Sequence, residues 1–554
     1  MNAEQLLEAL DDEQRAAAES LVGPTCILAG AGTGKTRTIT HRIAYGISRG
    51  YYAANRVLAL TYTNRAAGEL RARLRALGVT GVQVKTFHAA ALSQLEYFWP
   101  QYAGVPAPQV VESKAKLIAE AAASLQQKLD TVAIRELAAE IEWRKYSMLS
   151  LEEYGQQVRP KVTGLTFEQN LAIQTAYEAA KIKSQRLDWE DVLILTLGLL
   201  RAEPLAVSHV QQRYRFFTVD EYQDISPLQH ALLDIWLGDH NDLCVVGDPN
   251  QTIYSFTGAS SEFLYNFASR YSDANTFELT HNYRSSKHIV TAANRVVSDS
   301  TLISPLQSVG ENGNPVQVLS FPIVQDEVTS VANEIKYQLE SGVKASDIAV
   351  LYRVNGQSEA IEQALAKVGV EYQLRGGERY FNRPEVQRAM TAIKAEANSA
   401  SRPDKSTYEL VSDICRSLGW TSREPDQAGP ERERWDSLSA LLAMVDEMPE
   451  ESGIAEFAAE LDERKRSQHE PLKSSVTLST IHAAKGLEWA SVFVIGLTEG
   501  YLPIVYASKP EEVAEEKRLF YVAITRAKRN LQLSWAKQDS GRAREASRFL
   551  ALLA

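Results

Sequence analysis

Between residues 29 and 36 the chain reads Ala29-Gly30-Ala31-Gly32-Thr33-Gly34-Lys35-Thr36, after the apolar run Thr25–Leu28 and before a helical pattern that starts at Arg37. A strand, a glycine-rich turn and a helix in this order are the context that a phosphate-binding loop requires. Glycine residues let backbone N–H groups converge on phosphate oxygens, and the helix N-terminus adds the positive end of its dipole. Lys35 would reach the outer phosphates, and the Thr36 hydroxyl would ligate Mg²⁺. With this context intact, the alternative of a plain flexible turn is disfavoured.

Two adjacent carboxylates, Asp220 and Glu221, follow another apolar run, Phe216–Val219. Carboxylates at the C-terminal end of a parallel strand face the loop that holds the phosphates. Asp220 can hold the water shell of Mg²⁺, and Glu221 can polarise the attacking water. Taken alone, adjacent acids after a strand usually form a solvated loop. Together with residues 29–36 they indicate nucleotide hydrolysis.

Phosphoryl transfer also needs positive charge near the transferring group, which an arginine can supply. Two arginines have suggestive surroundings: Arg284 in His281-Asn282-Tyr283-Arg284-Ser285, and Arg526 in Tyr521-Val522-Ala523-Ile524-Thr525-Arg526-Ala527. Each arginine, taken singly, is more often a surface ion-pair residue. The residues alone therefore predict a Mg²⁺-dependent nucleotide hydrolase. They do not identify the molecule on which the hydrolysis energy is used.

Short apolar runs rich in β-branched residues recur along the chain and end in polar or glycine residues. Such runs are typical of buried parallel strands, and helical patterns such as Ala66–Leu77 and Glu327–Leu339 lie between them. This alternation predicts an α/β architecture with functional loops at the strand ends. Two long stretches, roughly 89–186 and 386–473, show helical patterns without a buried-strand run and are interpreted as helical insertions. The predicted strands are Pro24–Leu28, Val57–Leu60, Phe216–Val219, Leu243–Val246, Ile348–Tyr352 and Val492–Ile495.

Length and composition limit the class of protein. A chain of 554 residues, 45% hydrophobic and 23% charged, has room for roughly two to four globular domains. An uncharged apolar run of about 18 residues is lacking, and residues 1–10 lack a basic start followed by an apolar block, so we expect a cytoplasmic protein. The cysteines Cys26, Cys244 and Cys415 have no metal-ligand spacing, so we expect neither structural zinc nor a disulfide framework. Cys26 and Cys244 lie inside apolar runs and are expected to be small buried residues.

The net charge of −11 bears on the question of a nucleic-acid partner. Proteins that coat DNA without sequence preference are usually basic overall. An enzyme that grips one strand inside a cleft needs positive and aromatic groups only along that cleft. The charge therefore weighs against a DNA-coating protein and is compatible with an enzyme that threads DNA.

Several blocks, taken in order, resemble the motifs of the UvrD/PcrA/Rep-like superfamily 1 helicases, and the resemblance covers nearly the whole chain. The matching blocks are Leu10–Arg15 (Q motif), Ala29–Thr36 (phosphate loop), Leu60–Ala67 (motif Ia), Thr86–His88 (motif Ib), Leu187–Asp191 (an acidic-aromatic block), Asp220–Asp224 (Walker B), Val246–Phe256 (motif III), Leu279–Ser285 (motif IV), Ala349–Arg353 (motif IVa), Thr480–Trp489 (motif V) and Glu515–Ala527 (motif VI).

This resemblance implies roles at an ATP site. Gln251 would sense the γ-phosphate, Tyr283 would stack on adenine, and Arg526 would act as the arginine finger. Thr36 and Asp220 would hold Mg²⁺. The residues implied in catalysis are Lys35, Glu221, Gln251, Arg284 and Arg526. The residues implied in ATP binding are Gln14, Ala29, Gly30, Ala31, Gly32, Thr33, Gly34, Lys35, Thr36, Arg37, Tyr283, Arg284, Glu488 and Arg526.

The resemblance also implies contacts with DNA. A grip that ignores sequence needs aromatic faces on which bases stack, together with contacts to the backbone. An aromatic residue judged singly more often fills a core, but the motif positions favour DNA contact for Tyr62, Trp189 and Tyr254, and do so less for Phe87 and Phe256. The implied DNA-binding residues are Tyr62, Asn64, Phe87, His88, Trp189, Tyr254, Phe256, Arg353, Thr480 and His482.

The implied fold is α/β, with two RecA-like P-loop NTPase cores that contain parallel sheets and each carry a mostly helical insertion. Core 1A would comprise residues 1–88 and 187–278, with insertion 1B at 89–186. Core 2A would comprise residues 279–385 and 474–554, with a reduced insertion 2B at 386–473. In the family, ATP binds in the cleft between cores 1A and 2A.

The favoured function is an ATP-dependent 3′→5′ DNA helicase or translocase that moves on single-stranded DNA, in DNA repair or replication-fork maintenance. Its polarity and pathway come wholly from the resemblance. ATP and Mg²⁺ are the expected cofactors. The expected partners are single-stranded DNA, junctions between single and double strands, and a protein loader or processivity partner.

Departures from the family pattern leave alternatives open. Motif III continues as Phe256-Thr257 where relatives have Trp-Arg, the aromatic residue of Gly500–Ile504 stands one place early, and the second insertion is short. One alternative is a translocase that displaces bound proteins but needs a partner to unwind duplex. A DNA-binding scaffold with vestigial hydrolysis fits less well, because the ATP-site residues are intact. A small-molecule hydrolase would have no use for motifs Ia, III and V.

Overall fold

The structure is a computed structural model that describes residues 3–111, 113–157, 159, 162–299, 303–375, 381, 384–398, 405–422, 430–446, 448, 452–467, 475–539 and 541–553. The chain divides into two compact units. The first comprises Met1–Asn312 and Lys509–Tyr521, and the second comprises Gly313–Ser508 and Val522–Ala554.

The first unit is built around a sheet of six parallel strands. The strands of this unit are β1 (Thr25–Ala29), β2 (Val57–Thr61), β3 (Gln83–Thr86), β4 (Gln109–Val110), β5 (Arg186–Leu187), β6 (Phe216–Val219), β7 (Leu243–Gly247), β8 (Asn275–Leu279), β9 (His281–Asn282) and β10 (Gln307–Ser308). The sheet order is β3-β2-β6-β7-β1-β8, while β4–β5 and β9–β10 form separate pairs. Because the six strands are parallel, their carboxyl ends share one edge, which brings the loops after β1, β2, β6 and β7 together.

Helices of the first unit cover both faces of its sheet. Helices α5, α10 and α12 contribute to one apolar cluster with Trp236, and α3 and α4 contribute to another with Ile39 and Leu70. The helices are α1 (Ala3–Glu8), α2 (Asp12–Glu19), α3 (Lys35–Ser48), α4 (Asn64–Ala76), α5 (Phe87–Ala103), α6 (Lys114–Ser124), α7 (Thr131–Tyr146), α8 (Leu151–Gly155), α9 (Phe167–Ser184), α10 (Trp189–Ala202), α11 (Pro204–Arg213), α12 (Pro227–Leu237), α13 (Glu262–Tyr265), α14 (Phe267–Arg270) and α15 (Lys287–Val296).

Helices α6, α7 and α9 form a helical region with its own apolar core, which includes Ile118, Leu137 and Tyr177. A buried ion network joins this region to the start of α10. Lys145 and Lys181 each contact the carboxylate of Asp188, which is fully buried. Buried charges are tolerated when each has several opposite partners, as these have.

The second unit contains another sheet of six parallel strands. Its strands are β11 (Gln317–Phe321), β12 (Ile348–Tyr352), β13 (Tyr372–Arg375), β14 (Val476–Thr480), β15 (Trp489–Val494), β16 (Ala527–Ala536), β17 (Gln538–Asp539) and β18 (Arg542–Ala543). The sheet order is β11-β16-β15-β12-β14-β13, and β17 and β18 form an antiparallel pair.

The helices of the second unit fall into two groups. Helices α16 and α17 pack on the sheet, whereas α18–α21 have a core of their own that includes Met390, Val411 and Phe457. Helix α22 begins in the stretch assigned to the first unit and ends in the second. The bounds are α16 (Val324–Glu340), α17 (Ser358–Val368), α18 (Pro384–Asn398), α19 (Thr407–Ser417), α20 (Pro430–Asp446), α21 (Ile454–Ser467) and α22 (Pro510–Ile524).

The α/β class and the six predicted strands are confirmed, as β1, β2, β6, β7, β12 and β15. The two stretches interpreted as helical insertions consist mostly of helices in their described parts. Packing groups residues 279–312 with the first unit, and the predicted domain boundaries stay predictions. Cys26 and Cys244 are buried, as expected, and Cys415 is buried as well. Among the described residues no single helix has the length and apolar character to cross a membrane, although the bent pair α10–α11 passes the same test.

Candidate functional site

The glycine-rich loop between β1 and α3 depends on two glycines in left-handed backbone conformation. Gly32 has φ +73°, and Gly34, the N-cap of α3, has φ +83°. A Cβ atom on Gly32 would lie 2.5 Å from Asn282 Nδ2, and one on Gly34 would lie 2.6 Å from Gln14 Nε2. Only glycine combines this backbone with such close approach. Since α3 has no side-chain cap, its first N–H groups can serve a phosphate.

Lys35 lies against the loop that it belongs to. Its Nζ donates to the carbonyl oxygens of Ala29 at 3.0 Å and Gly30 at 3.3 Å. Burial raises the pKa of the Asp220 and Asp248 carboxyl groups, and the charge of Lys35 partly opposes that rise. The ammonium group is therefore close to both the phosphate loop and the acids of the neighbouring strands.

Groups from α2 and from the β9 segment hold the carbonyl oxygens of the loop. Gln14 Nε2 donates to Thr33 O at 2.9 Å, and Asn282 Nδ2 donates to Ala31 O at 2.6 Å. The Tyr283 N–H donates to Gly32 O at 2.9 Å. These bonds bring the predicted residues Gln14 and Tyr283 to the phosphate loop. Asn282 was missed by sequence reasoning, although it lies inside the motif that supplied its neighbours.

The predicted acid pair follows β6 at the same edge of the sheet. Glu221 has φ +54°, an uncommon conformation for a residue with a side chain, and its N–H donates to Asp220 Oδ1 at 3.0 Å. Burial and the neighbouring Glu221 carboxylate raise the pKa of Asp220 to about 7. Strained backbone of this kind concentrates at functional sites, where it aims a side chain.

Two residues that sequence reasoning did not single out orient the acids. The buried Gln223 donates from Nε2 to the Glu221 carboxylate and accepts the Asp248 N–H at 3.0 Å. Asp248, which follows β7, accepts from Gln251 Nε2 at 2.7 Å. One chain of hydrogen bonds thus links Glu221 to the predicted γ-phosphate sensor, Gln251.

The residues expected to hold Mg²⁺ fit that ion in chemistry. Mg²⁺ prefers hard oxygen ligands, usually one or two carboxylates or hydroxyls together with substrate phosphates and water. Asp220 supplies a carboxylate, and Thr36 supplies a hydroxyl directly after Lys35. Because burial penalises the isolated Asp220 charge, a cation beside it would relieve that penalty.

A half-exposed tyrosine marks the predicted adenine position. Tyr283 is 51% exposed, and its hydroxyl donates to Asp11. Burial and the bond with Asp11 raise the pKa of Tyr283 to about 12. Asp11 is also the N-cap of α2, where it accepts the Gln14 N–H at 2.8 Å. Arg37 donates to Ala9 O at the same end of α2.

Partly exposed aromatic side chains lie near the same sheet edge. Tyr62, after β2, stacks on Tyr254, after β7, with ring centroids 5.3 Å apart and an interplanar angle of 15°. Phe256 lies 6.1 Å from Tyr254 between centroids. Trp189, 48% exposed at the start of α10, meets His88 edge-on at 6.0 Å. Asn64 is the first residue of α4, close to Tyr62 in the chain.

The structure does not support the prediction that Phe87 contacts DNA. Phe87 is only 5% exposed and stacks on the buried Trp236, with centroids 5.9 Å apart. Burying this ring in the core contributes stability through the hydrophobic effect and leaves no face for a base. Its neighbour His88 is instead the residue of motif Ib that lies beside exposed Trp189.

Arg353, Thr480, His482 and Glu488 lie on the second unit: the first three lie at or after the carboxyl ends of strands, and Glu488 directly precedes β15. Arg353 follows β12, and its N–H donates to Gln357 Oε1 at 2.9 Å. Thr480 ends β14 and its hydroxyl accepts the Ala483 N–H at 3.3 Å. Burial, together with Arg353 and Lys485, lowers the pKa of His482 to about 3. Glu488 forms an ion pair with Lys528 at 2.8 Å.

Arg526 is almost fully buried within the second unit. Its Nε donates to Val522 O at 3.0 Å, and its Nη1 donates to Leu487 O at 3.1 Å. The guanidinium is 1% exposed in this arrangement. Its role as an arginine finger stays a prediction.

Comparisons with known proteins agree with these motifs. Residues 10–272 match the UvrD/REP helicase N-terminal domain family, and residues 277–425 and 404–538 match the UvrD-like helicase C-terminal domain family. ATP-dependent DNA helicase UvrD2 of Mycobacterium bovis is 43% identical over 98% of this chain and 81% of that protein. ATP-dependent DNA helicase PcrA is 29% identical in Leuconostoc citreum, over 100% of this chain and 85% of that protein. ATP-dependent DNA helicase PcrA of Staphylococcus aureus is 28% identical over 97% of this chain and 84% of that protein. The chain therefore belongs to the UvrD/REP-like helicase family.

Proposed function

We propose that this chain is an ATP-dependent DNA helicase that moves 3′→5′ along single-stranded DNA and draws its energy from Mg²⁺-dependent ATP hydrolysis. One observation carries the proposal. In the first unit, the phosphate loop follows β1, the acid pair follows β6, and the stacked rings of Tyr62 and Tyr254 follow β2 and β7. These strands are parallel neighbours of one sheet, so the glycine-rich loop, the acid pair and the two tyrosine rings share its carboxyl edge, which supports the proposal.

The ATP chemistry follows from the same residues. The α3 N-terminus and Lys35 bind the phosphates, and Glu221 orients and deprotonates the attacking water. Mg²⁺, held by Thr36 and Asp220, would neutralise phosphate charge. Arg284 and Arg526 would stabilise the negative charge of the transition state. Gln251 would contact the γ-phosphate, and its position would change when that phosphate is lost. Hydrogen bonds through Asp248 and Gln223 link Gln251 to Glu221, and Gln251 lies just before the loop that carries Tyr254.

The DNA grip rests mainly on aromatic faces and neutral groups. Tyr62, Trp189 and Tyr254 would stack on bases, with Phe256 beside them, which suits binding without sequence preference. Asn64, His88, Arg353, Thr480 and His482 would contact the backbone. Phe87 is not part of this set, because it lies in the core.

The biological setting belongs to the same proposal. The similar proteins are named ATP-dependent DNA helicases, and we place this chain in DNA repair or replication-fork maintenance. Its substrates would be single strands and junctions with duplex in the cytoplasm, and a protein loader or processivity partner would assist it.

A second candidate is a translocase that displaces bound proteins but needs a partner to unwind duplex. Motif III carries Phe256-Thr257 in place of Trp-Arg, which removes a cation and reduces a stacking face. Strand displacement on 3′-tailed duplexes, measured beside translocation on single strands, separates the two. Vigorous unaided unwinding would rule out this candidate, and fast translocation without unwinding would rule out the helicase.

The proposed ATP site is tested by Lys35→Ala and Glu221→Gln. The first change removes the phosphate-binding charge and the second removes the base, so each should abolish ATP hydrolysis stimulated by single-stranded DNA. Lys405→Ala is the matched control, because this lysine forms an exposed pair with Asp413 on the second unit. Near-normal turnover in Lys35→Ala or Glu221→Gln would show that the assigned roles are wrong.

A further inference from the structure

The last turn of α7 belongs to the helical region yet contacts three segments that carry proposed DNA-binding residues. These segments are the start of α5 with His88, the start of α10 with Trp189, and the loop 254–258 with Tyr254. Neither Lys145 nor Tyr146, which make the contacts, lies in a motif that the sequence analysis identified.

The first contact fixes the start of α10. Lys145 Nζ lies 2.6 Å from Asp188 Oδ2 and 2.6 Å from Asp191 Oδ1, and Lys145 is only 2% exposed. Asp188 is the N-cap of α10 and directly precedes Trp189. Because separating these groups would leave buried charges without partners, the pairs hold the last turn of α7 against the first turn of α10.

The second contact orients His88. The Tyr146 hydroxyl and His88 Nε2 are 3.1 Å apart, and the two rings meet edge-on with centroids 6.2 Å apart. Burial and the charge of Lys114 lower the pKa of His88 to about 4, so the imidazole is neutral near pH 7. A neutral imidazole has one donor and one acceptor nitrogen. Because Nε2 bonds with the Tyr146 hydroxyl, the ring is held in one orientation and Nδ1 is the nitrogen on its other side.

The third contact sets the position of loop 254–258. Gly258 has φ +89°, and a Cβ atom there would lie 3.0 Å from Tyr146 Cβ and 3.6 Å from Trp143 O. The loop therefore rests directly on the last turn of α7. Tyr254 and Phe256 lie only a few residues before this point of contact.

From these contacts we infer that Tyr146 is a positioning residue for single-strand binding: it orients His88 and supports the loop of Tyr254, while Lys145 ties the same turn to Trp189. The inference rests on the proposed function, since it concerns the same DNA-binding surface. It assigns the helical region a role in shaping that surface, beyond any contact of its own with DNA.

Tyr146→Phe tests the inference because it removes one hydroxyl and keeps the Cβ atom that lies against Gly258. Losing the bond that fixes His88 should raise the DNA concentration for half-maximal ATPase stimulation by about 3- to 10-fold. The rate at saturating DNA should stay near that of the wild type. The matched control is Tyr154→Phe, which removes a buried tyrosine hydroxyl bonded to Glu140 at 2.7 Å in the same helical region. A loss of stability alone would lower the amount of active enzyme in both variants without shifting the half-maximal DNA concentration.

A double-mutant cycle completes the test. If Tyr146 acts through His88, Tyr146→Phe should have no further effect in a His88→Ala background. Additive effects, or a Tyr146→Phe variant that matches Tyr154→Phe, would overturn the inference. Failure of the proposed function looks different, because the wild type itself would then show no stimulation by single-stranded oligothymidine.

Discussion

At the residue scale, the Gln223 side chain helps to orient the Glu221 carboxylate. Glu221 sits in left-handed backbone, and the buried Gln223 amide joins its carboxylate to the Asp248 N–H. A general base acts only within hydrogen-bond reach of the proton that it removes, so a small change of aim is costly. Gln223 is thus a positioning residue for the proposed general base Glu221.

Gln223→Leu should lower the rate of ATP hydrolysis at saturating ATP and DNA by about 10- to 100-fold, since misplaced catalytic groups cost rates of that order. The KM for ATP should change little, because Lys35 and the loop carbonyls keep their partners. Steady-state kinetics over a range of ATP concentrations measures both constants.

Gln229→Ala serves as the control for Gln223→Leu. Gln229 is also a buried glutamine, and it completes the N-terminal cap of α12 by accepting the Ser226 N–H at 2.9 Å. Its loss should reduce thermal stability and leave the maximal rate unchanged. A Gln223→Leu enzyme with a raised KM and an intact maximal rate would contradict the positioning role.

The limits of sequence reasoning are visible at this scale in Phe87 and His88. Both belong to the same motif, yet Phe87 is packed on Trp236 while His88 lies beside exposed Trp189. Neighbouring helix residues point about 100° apart, and which of them faces the core depends on the sheet behind the helix. Gln223 was missed for a related reason, because its partner Asp248 is distant in the chain and the residue type alone does not reveal the bond.

At the element scale, the first half of α22 holds the motif III loop. Glu515 Oε1 accepts the Ser255 N–H at 3.1 Å and Glu515 also accepts from the Ser255 hydroxyl. Arg518 Nε donates to Thr252 O at 2.8 Å. The bonded residues Thr252 and Ser255 lie on either side of Tyr254 in the sequence. Helix α22 therefore constrains the loop between Gln251 and the stacked tyrosine rings.

Glu515→Ala should therefore weaken the response to DNA. With its two bonds lost, the loop samples more conformations, and the DNA concentration for half-maximal ATPase stimulation should rise about 3- to 10-fold. Lys517→Ala is a control on the same helix, because its partner Asp299 is 70% exposed and such surface pairs contribute little. Equal behaviour of the two variants would show that Glu515 does not hold the loop.

Strand prediction worked for the apolar interior strands and failed for the edge strands of both sheets. The four central strands of the first sheet, β2, β6, β7 and β1, are apolar runs and were predicted. Its edge strands β3 and β8 were missed, as were edge strands β11 and β13 of the second sheet. Edge strands have an exposed side, and most residues of β8 and β11 are exposed or only partly buried. Their sequences therefore contain no continuous apolar run that would predict a strand. Two interior strands of the second sheet were missed as well: β14, which is rich in serine and threonine, and β16, whose first residues include Lys528 and Arg529.

At the scale of the whole molecule, acidic charge has to be reconciled with a DNA substrate. The chain has 59 lysines and arginines against 70 aspartates and glutamates. Among the proposed DNA-binding residues only Arg353 has a permanent positive charge. Burial lowers the pKa of His88 to about 4 and that of His482 to about 3, so both are neutral at pH 7. Apart from Arg353, the proposed DNA contacts are therefore stacking and neutral hydrogen bonds.

This composition predicts how DNA affinity responds to salt. Each phosphate neutralised on a single strand releases counterions and contributes a slope of about −0.7 to the plot of log K against log salt. With one permanent cation in the proposed set, the slope for oligothymidine at pH 7.5 should lie between about −0.7 and −2. Arg353→Gln should make it shallower by about 0.7, whereas Tyr254→Ala should weaken binding at every salt concentration and leave the slope unchanged. Fluorescence anisotropy across a salt series measures these values. A slope steeper than about −4 would mean that basic side chains outside the proposed set neutralise several phosphates. Stacking would then contribute only a minor part of the binding free energy.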